Sequence, residues 1–246
     1  MFNMLSTQAQ ECLQNALNRY DYSDAIHIID SLMAADKADS VGLALHKARC
    51  LKKLYRAEEA AETIAEVLHI DQFNVELMAE LAECHMQAGN TEEAFNLYSL
   101  LSGMQSDNVY FKICQARILY REKQYRESIV VCKAIISQDS IPDILSLTAD
   151  AYKNLGAADS ALVYYDHVLR MKPYHVRTLS KKADILLSAK QYMPVIDMSR
   201  EYLKHDPENM TMLPIYGLAL HLQGSYTLSI EQFEHLLELG DESYAA

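Results

Sequence analysis

One small residue returns along this chain at a near-constant step. Ala25, Ala60, Ala94, Ser128, Ala161, Val195 and Ser229 follow one another at intervals of 35, 34, 34, 33, 34 and 34 residues. Six of these seven have a second small residue twelve positions upstream: Ala48, Ala82, Ala116, Ala149, Ala183 and Gly217. A period near thirty-four marks a stack of helical hairpins, because each unit is too small to bury its apolar face alone and must lean on its neighbours. The small residues have a mechanical use: two helix backbones approach closely only where the contacting side chains are short. Function is then expected along a surface built by repetition, not in one closed pocket.

Composition agrees with an all-α chain. Half of the 246 residues are apolar, and only 7 Gly and 5 Pro leave little room for long loops. The period divides the chain into repeats at about 5–38, 41–73, 75–107, 108–140, 142–174, 176–208 and 210–240, read as one domain over 1–246. Each repeat reads as helix A, a tight turn and helix B. The fifth is the clearest, with helix A over Asp143–Leu155, a turn at Gly156-Ala157-Ala158, and helix B over Asp159–Met171 before Pro173. Gly89, Gly156 and Gly224 stand just after a helix A, where φ is often positive. Asn90 followed by Glu93 reads as a capping box at the start of a helix B. Pro194 falls in a first helical turn, where its missing N–H is harmless. Pro214 lies about a turn further into its helix A and predicts a kink or a late start.

The combined pattern resembles the tetratricopeptide repeat (TPR) family. Leu145, Ala149, Tyr152, Gly156, Ala161, Tyr165 and Pro173 follow that family's spacing of a large apolar residue, small residues, aromatics and a closing proline. The third unit (Leu81-Ala82, Gly89, Ala94, Tyr98) and the sixth (Ala183, Tyr192, Pro207) match in part. The resemblance implies a right-handed α-solenoid of about seven helix-turn-helix repeats. Departures concentrate at the first and sixth units, where Leu13 and Val195 replace small residues. The family's second Ala of helix B is also larger here: Val67, Leu101, Ile135, Val168 and Tyr202.

The net charge of −12 argues against nucleic acid as the main ligand, since binding a phosphate backbone rests on excess Lys and Arg. It equally disfavours an anionic membrane surface and slightly favours basic protein partners. No stretch approaches the ~18 apolar residues needed to span a bilayer. The five cysteines are odd in number and lack CxxC spacing, so neither a disulfide framework nor a zinc site is indicated, and a cytoplasmic location is expected. No P-loop, HExxH or nucleophile-elbow motif occurs, and no two of the nine histidines lie three or four residues apart. No catalytic residue, metal or cofactor is expected.

In TPR-like stacking the A helices face the concave side through the second, fifth, sixth, ninth, twelfth and thirteenth positions of each unit. The candidate groove residues are therefore Arg49, Lys53, Glu80, Glu83, Tyr110, Arg117, Tyr120, Arg121, Asp150, Arg177, Lys181 and Asp184. At the ninth position the order Arg49, Glu83, Arg117, Asp150, Asp184 suggests a ladder of ion pairs between neighbouring repeats. Such pairs set stacking in the plainer reading and guide an extended peptide in the other. Leu45, Arg49 and Glu80 stand where the family's carboxylate-gripping modules carry Lys, Asn and Arg, which disfavours that specialisation. On the last helix, Ile230, Phe233 and Leu237 point to where an eighth helix A would stack, a candidate face for self-association as a homodimer.

The expected function is a non-catalytic scaffold that binds partner proteins or an extended peptide along the groove. A regulatory or targeting arm of a larger protein is an alternative. A chaperone for a secreted or assembling client is another, hinted at by Leu218 and Leu222.

Overall fold

The computed structural model describes residues 2–35 and 40–240, with side chains from 9 to 35 and from 41 to 240. The end of the first expected repeat and the tail after Gly240 lie outside the described residues. Among the described residues there are fourteen α-helices and no strand. They pair in chain order as α1 (Phe2–Asn18) with α2 (Tyr22–Ala35), α3 (Ser40–Lys53) with α4 (Ala57–Leu68), and α5 (Val75–Ala88) with α6 (Thr91–Met104). Then come α7 (Val109–Arg121) and α8 (Tyr125–Ile136) in chain order, followed by the pairs α9 (Pro142–Asn154) with α10 (Ala158–Met171), α11 (Val176–Ser188) with α12 (Tyr192–His205), and α13 (Met212–Gln223) with α14 (Tyr226–Glu238). The odd-numbered helices are the A helices. The chain forms two compact units, 1–118 and 119–246, divided within α7.

In the first unit, one cluster runs from Leu13 and Ala16 through Ala25, Ala48, Ala60 and Ile64 to Leu77, Leu81 and Cys84, so each hairpin buries its face in the next. A second gathers Ala82, Ala94, Tyr98, Leu101 and Phe111. In the second unit, Ala149, Ala161, Tyr165 and Ile185 pack together, and Ala183, Val195, Ile196, Ala219 and Leu220 repeat that arrangement one hairpin later. Burying one such Ile or Leu fully contributes roughly 1.5–3 kcal/mol.

The periodic small residues are all buried. Their mechanical role is plainest in the last hairpin, where Ser229 Oγ donates to the Gly217 carbonyl at 2.8 Å. A Cβ on Gly217 would stand 3.0 Å from the ring of Phe233. The two irregular units exchange volume within themselves. Every other hairpin puts a larger residue three positions after the A-helix small residue: Leu51, His85, Leu119, Tyr152, Leu186 and Leu220. The first hairpin has Leu13 at the small position and a fully buried Ala16 at the large one. The sixth does the same on its B helix, with Val195 in the small slot and Ser199 four residues on, where Tyr98 and Tyr165 stand in other units. The oversized residues at the second small position of helix B, Val67, Leu101, Ile135, Val168 and Tyr202, are buried core.

All seven hairpin turns have one geometry. The fifteenth residue of each unit lies in the left-handed region: Tyr20, Tyr55, Gly89, Lys123, Gly156, Lys190 and Gly224, with φ from 58 to 93°. The next N–H reaches back to a carbonyl five residues earlier, as in Gln124 to Leu119 at 2.8 Å and Gln191 to Leu186 at 2.8 Å. This is a Schellman closure, which satisfies carbonyls left open at the helix end. Glycine was expected at three of these turns; four non-glycine residues adopt the same conformation.

One local expectation is corrected. The Asn90 side chain caps no N–H and instead lies 3.5 Å from His85 Nδ1. A side-chain cap is made by Asn74, whose Oδ1 accepts from Leu77 N at 3.0 Å. Pro214 goes with the late start expected of it: α13 begins at Met212, two residues later in its unit than α5, α7, α9 and α11. Pro194 lies in the first turn of α12, as its residue type requires.

Candidate functional site: the A-helix faces

Charges at the A-helix positions meet across neighbouring repeats, on a diagonal. In the first unit, Arg49 Nε lies 3.5 Å from Glu80 Oε2, and Lys52 Nζ lies 2.9 Å from Glu83 Oε2. In the second, Lys181 Nζ binds Asp150 Oδ2, and Lys153 Nζ lies 3.1 Å from Asp184 Oδ2. All four pairs are 31 residues apart, not 34. Between α3 and α5, and between α9 and α11, the A helices are staggered by one turn, so each of these residues faces the next helix one turn nearer its start. The ladder expected between ninth positions is therefore replaced by this offset one, and a 31-residue spacing of opposite charges was the readable signal for it.

The first-unit network is dense. Lys52 Nζ also lies 2.5 Å from Glu80 Oε1, and Arg49 Nη2 lies 3.3 Å from Glu76. Tyr110 donates its hydroxyl to Glu83 at 3.1 Å. Burial alone would lower the Lys52 pKa, but the hydrogen bonds to Glu80 and Glu83 outweigh it and leave it raised. Glu80 was expected on the open groove. It is only 7 % exposed, because Arg49 and Lys52 close over its carboxylate, so it is spent on stacking. A pocket of about 510 Å³ lies beside this network, lined by Arg49, Lys52, Lys53, Tyr55 and Gln87. Gln87 Nε2 donates to the Lys52 carbonyl at 2.8 Å and joins the two repeats. Tyr55 and Gln87 were not among the candidates; Tyr55 lies in a turn, outside the helical register used to choose them.

In the second unit, Asp150 is the junction. Tyr165 donates its hydroxyl to Oδ1 at 2.6 Å while Lys181 holds Oδ2. Asn154 Nδ2 donates to the Tyr120 hydroxyl at 3.0 Å, and the Tyr120 ring meets Tyr125 edge-on at 5.4 Å. Tyr110 likewise rests edge-on against Phe111 at 5.7 Å. The candidate aromatics are thus fixed in place, with Tyr110 exposed and Tyr120 half-buried.

Lys53, Arg117, Arg121 and Arg177 are different. All four are exposed and make no hydrogen bond or ion pair among the described residues. Leu218 and Leu222 of α13 are exposed as well. Cys50, Cys84 and Cys132 are buried thiols, and burial pushes Cys84 up to about 11, which makes it a poor nucleophile at neutral pH. No group of His, Cys, Asp and Glu able to hold a metal occurs among the described residues, and no helix there is long and apolar enough to cross a membrane.

The C-terminal part of a tetratricopeptide-repeat protein from Cytophaga hutchinsonii superposes with a TM-score of 0.76, at 13% identity, over 94% of this chain and 95% of that one. This is a tetratricopeptide-repeat fold. Over 177 residues the chain is 21% identical to a tetratricopeptide repeat protein 21 homolog of Caenorhabditis briggsae, covering 70% of this chain and 13% of the relative. It therefore spans about one eighth of that protein's length. YrrB, a tetratricopeptide-repeat protein with an unusual peptide-binding site, superposes with a TM-score of 0.59 at 12% identity, over 76% of this chain and 97% of its own. No protein-family model matches the sequence. Within the tetratricopeptide-repeat fold, the diagonal ion pairs account for the charges that hold repeats together, and the four unspent cations stand apart from them.

Proposed function

We propose that the chain is a non-catalytic interaction module whose A-helix faces hold an extended, acidic segment of a partner protein. The observation that carries this reading is the division of the charges. The carboxylates of Glu76, Glu80, Glu83, Asp150 and Asp184 are engaged by cations of neighbouring repeats, whereas Lys53 and Arg117 in the first unit and Arg121 and Arg177 in the second are unspent. The net charge of the whole chain is acidic, but recognition follows the local charge that remains after internal pairing. The held rings of Tyr110 and Tyr120 add contact area at low entropic cost. Peptide binding by the structural neighbour YrrB supports the same mode. Unpaired cysteines support action in the cytoplasm.

The test uses fluorescein-labelled, unstructured peptides of acidic, neutral and basic composition, titrated against the chain by anisotropy. Acidic peptides are expected to bind, to weaken with salt, and to lose tenfold or more in affinity to the Arg121→Glu and Arg177→Glu variants. Preference for basic peptides, or indifference to both variants, overturns the reading.

A further inference from the structure

The thirteenth position of each unit, in the last turn of its A helix, reads Asn18, Lys53, Gln87, Arg121, Asn154, Ser188 and Leu222. Carboxylates occupy the second, sixth and ninth positions, with Glu76, Glu80, Glu83, Asp143, Asp150 and Asp184. The thirteenth has none, and from Asn18 to Asn154 amide and cation alternate there, every one of them exposed. Arg117 and Arg177 differ, because their ninth and second positions hold Glu83, Asp150 and Asp143 in neighbouring repeats.

Each compact unit builds the same arrangement from this row. In the first, Gln87 Nε2 donates to the Lys52 carbonyl at 2.8 Å, which ties the amide of α5 to the end of α3 beside Lys53. Lys53 and Gln87 both line the pocket of about 510 Å³. In the second, Asn154 Nδ2 donates to the Tyr120 hydroxyl at 3.0 Å and to the Asp150 carbonyl at 2.9 Å, which ties the amide of α9 to α7 beside Arg121. In both places the amide nitrogen is engaged and the amide oxygen accepts no hydrogen bond among the described residues. An unpaired cation and an anchored neutral acceptor thus stand on adjacent A helices, one helix spacing of ~8–10 Å apart.

We infer that Lys53 with Gln87, and Arg121 with Asn154, are two seats that each read one Asp or Glu of an extended partner segment. The carboxylate goes to the cation. A main-chain N–H one helix spacing along, about three residues of extended chain, goes to the amide oxygen. The inference rests on the acidic-segment reading above and adds which residues read that segment, and how. Around Lys53 the cations Arg49, Lys52 and Lys53 stand with the carboxylates Glu76, Glu80 and Glu83, so the surroundings are neutral. A singly charged carboxylate fits there, whereas a phosphate of nearly two charges meets three glutamates.

The probes are a fluorescein-labelled Gly-Ser peptide carrying glutamates, and the same peptide with phosphoserine at those places, titrated against the full chain. Lys53→Met combined with Arg121→Met is expected to lower affinity for the glutamate peptide tenfold or more and to flatten its salt dependence. Gln87→Leu combined with Asn154→Leu is expected to lower affinity tenfold with the salt dependence kept, because no charge is removed. In the isotope-labelled, unaltered chain, the side-chain amide resonances of Gln87 and Asn154 should move on titration, a readout that holds even where the double amide variant fails to fold. Unmoved amide resonances, undiminished affinity in a folded amide variant, or tighter binding of the phosphoserine peptide overturns the inference. If the glutamate peptide binds and loses affinity only to Arg117→Glu and Arg177→Glu, the acidic-segment reading stands and the seats do not. If no acidic peptide binds, that reading fails and the seats fail with it.

Discussion

Tyr165 donates its hydroxyl to Asp150 at 2.6 Å from inside the core of its own hairpin. One carboxylate thereby joins α9, α10 and, through Lys181, α11. Burial, and then the bond to Asp150, hold the Tyr165 hydroxyl well above the usual tyrosine range. Asp150→Ala strands the phenolic proton and unpairs Lys181, and is expected to cost about 1–3 kcal/mol. Tyr165→Phe removes donor and bond together and should cost less, about 1 kcal/mol. Chemical denaturation of both variants checks the order; the reverse order would mean that the ring, not the carboxylate, carries the junction.

The left-handed turns make a second expectation. Lys123 and Lys190 hold φ of 60 and 58° without glycine's freedom. Replacing either by Gly relieves that strain at the expense of a more mobile unfolded chain, for a net gain of about 0.5–1 kcal/mol. Gly89→Ala, at φ 90°, should lose about 1 kcal/mol or more. Thermal melts of the three variants should move in opposite directions accordingly.

The volume exchange in the first hairpin can be tested by reversal. Leu13→Ala opens a cavity next to Ala16 and is expected to cost about 2–4 kcal/mol. The double change Leu13→Ala with Ala16→Leu restores the arrangement of the other hairpins and should recover at least half of that loss. Additive losses would show that the two positions do not share one space. By contrast, Ala149→Leu has no compensating partner and is expected to cost about 1–3 kcal/mol through overpacking.

Stability should fall at alkaline pH. Tyr98, Tyr110 and Tyr165 are raised above the ordinary 10.0, first by burial, and Lys52 is raised above 10.5 by its carboxylates against the opposing effect of burial. Each group keeps its proton longer in the folded chain than in the unfolded one. Its stabilisation is therefore fully present below the unfolded value and is lost as pH climbs from about 10 towards the higher folded value. Melting temperature should drop steeply beyond pH 10, and ultraviolet titration should show five of the 16 tyrosines, Tyr98, Tyr110, Tyr120, Tyr165 and Tyr202, ionising late. A single ionisation step for all of them would contradict the raised hydroxyls.

Much of the repeat was legible because alanine contacts leave a periodic trace. Ala82 with Ala94 and Ala149 with Ala161 mark hairpins in a linear sequence, since the helix crossing recurs at one place in each unit. The candidate site was only partly legible for the same reason. A register assigns Glu80 and Lys53 to similar positions, yet one is buried under two cations and the other is open. The register is blind to the stagger between helices, which decides whom a side chain meets.

By itself, the sequence determined that the chain is all-α, that its helices alternate in pairs, and where those pairs cross, because helical periodicity and small-residue spacing are local and repeat. Only the tertiary structure decided that charges pair 31 residues apart, that four turns hold non-glycine residues left-handed, and that Lys53, Arg117, Arg121 and Arg177 go unspent. The charge pairing depends on how one helix is displaced along its neighbour, a distance of one turn that no single segment encodes, and the turns on how each hairpin closes.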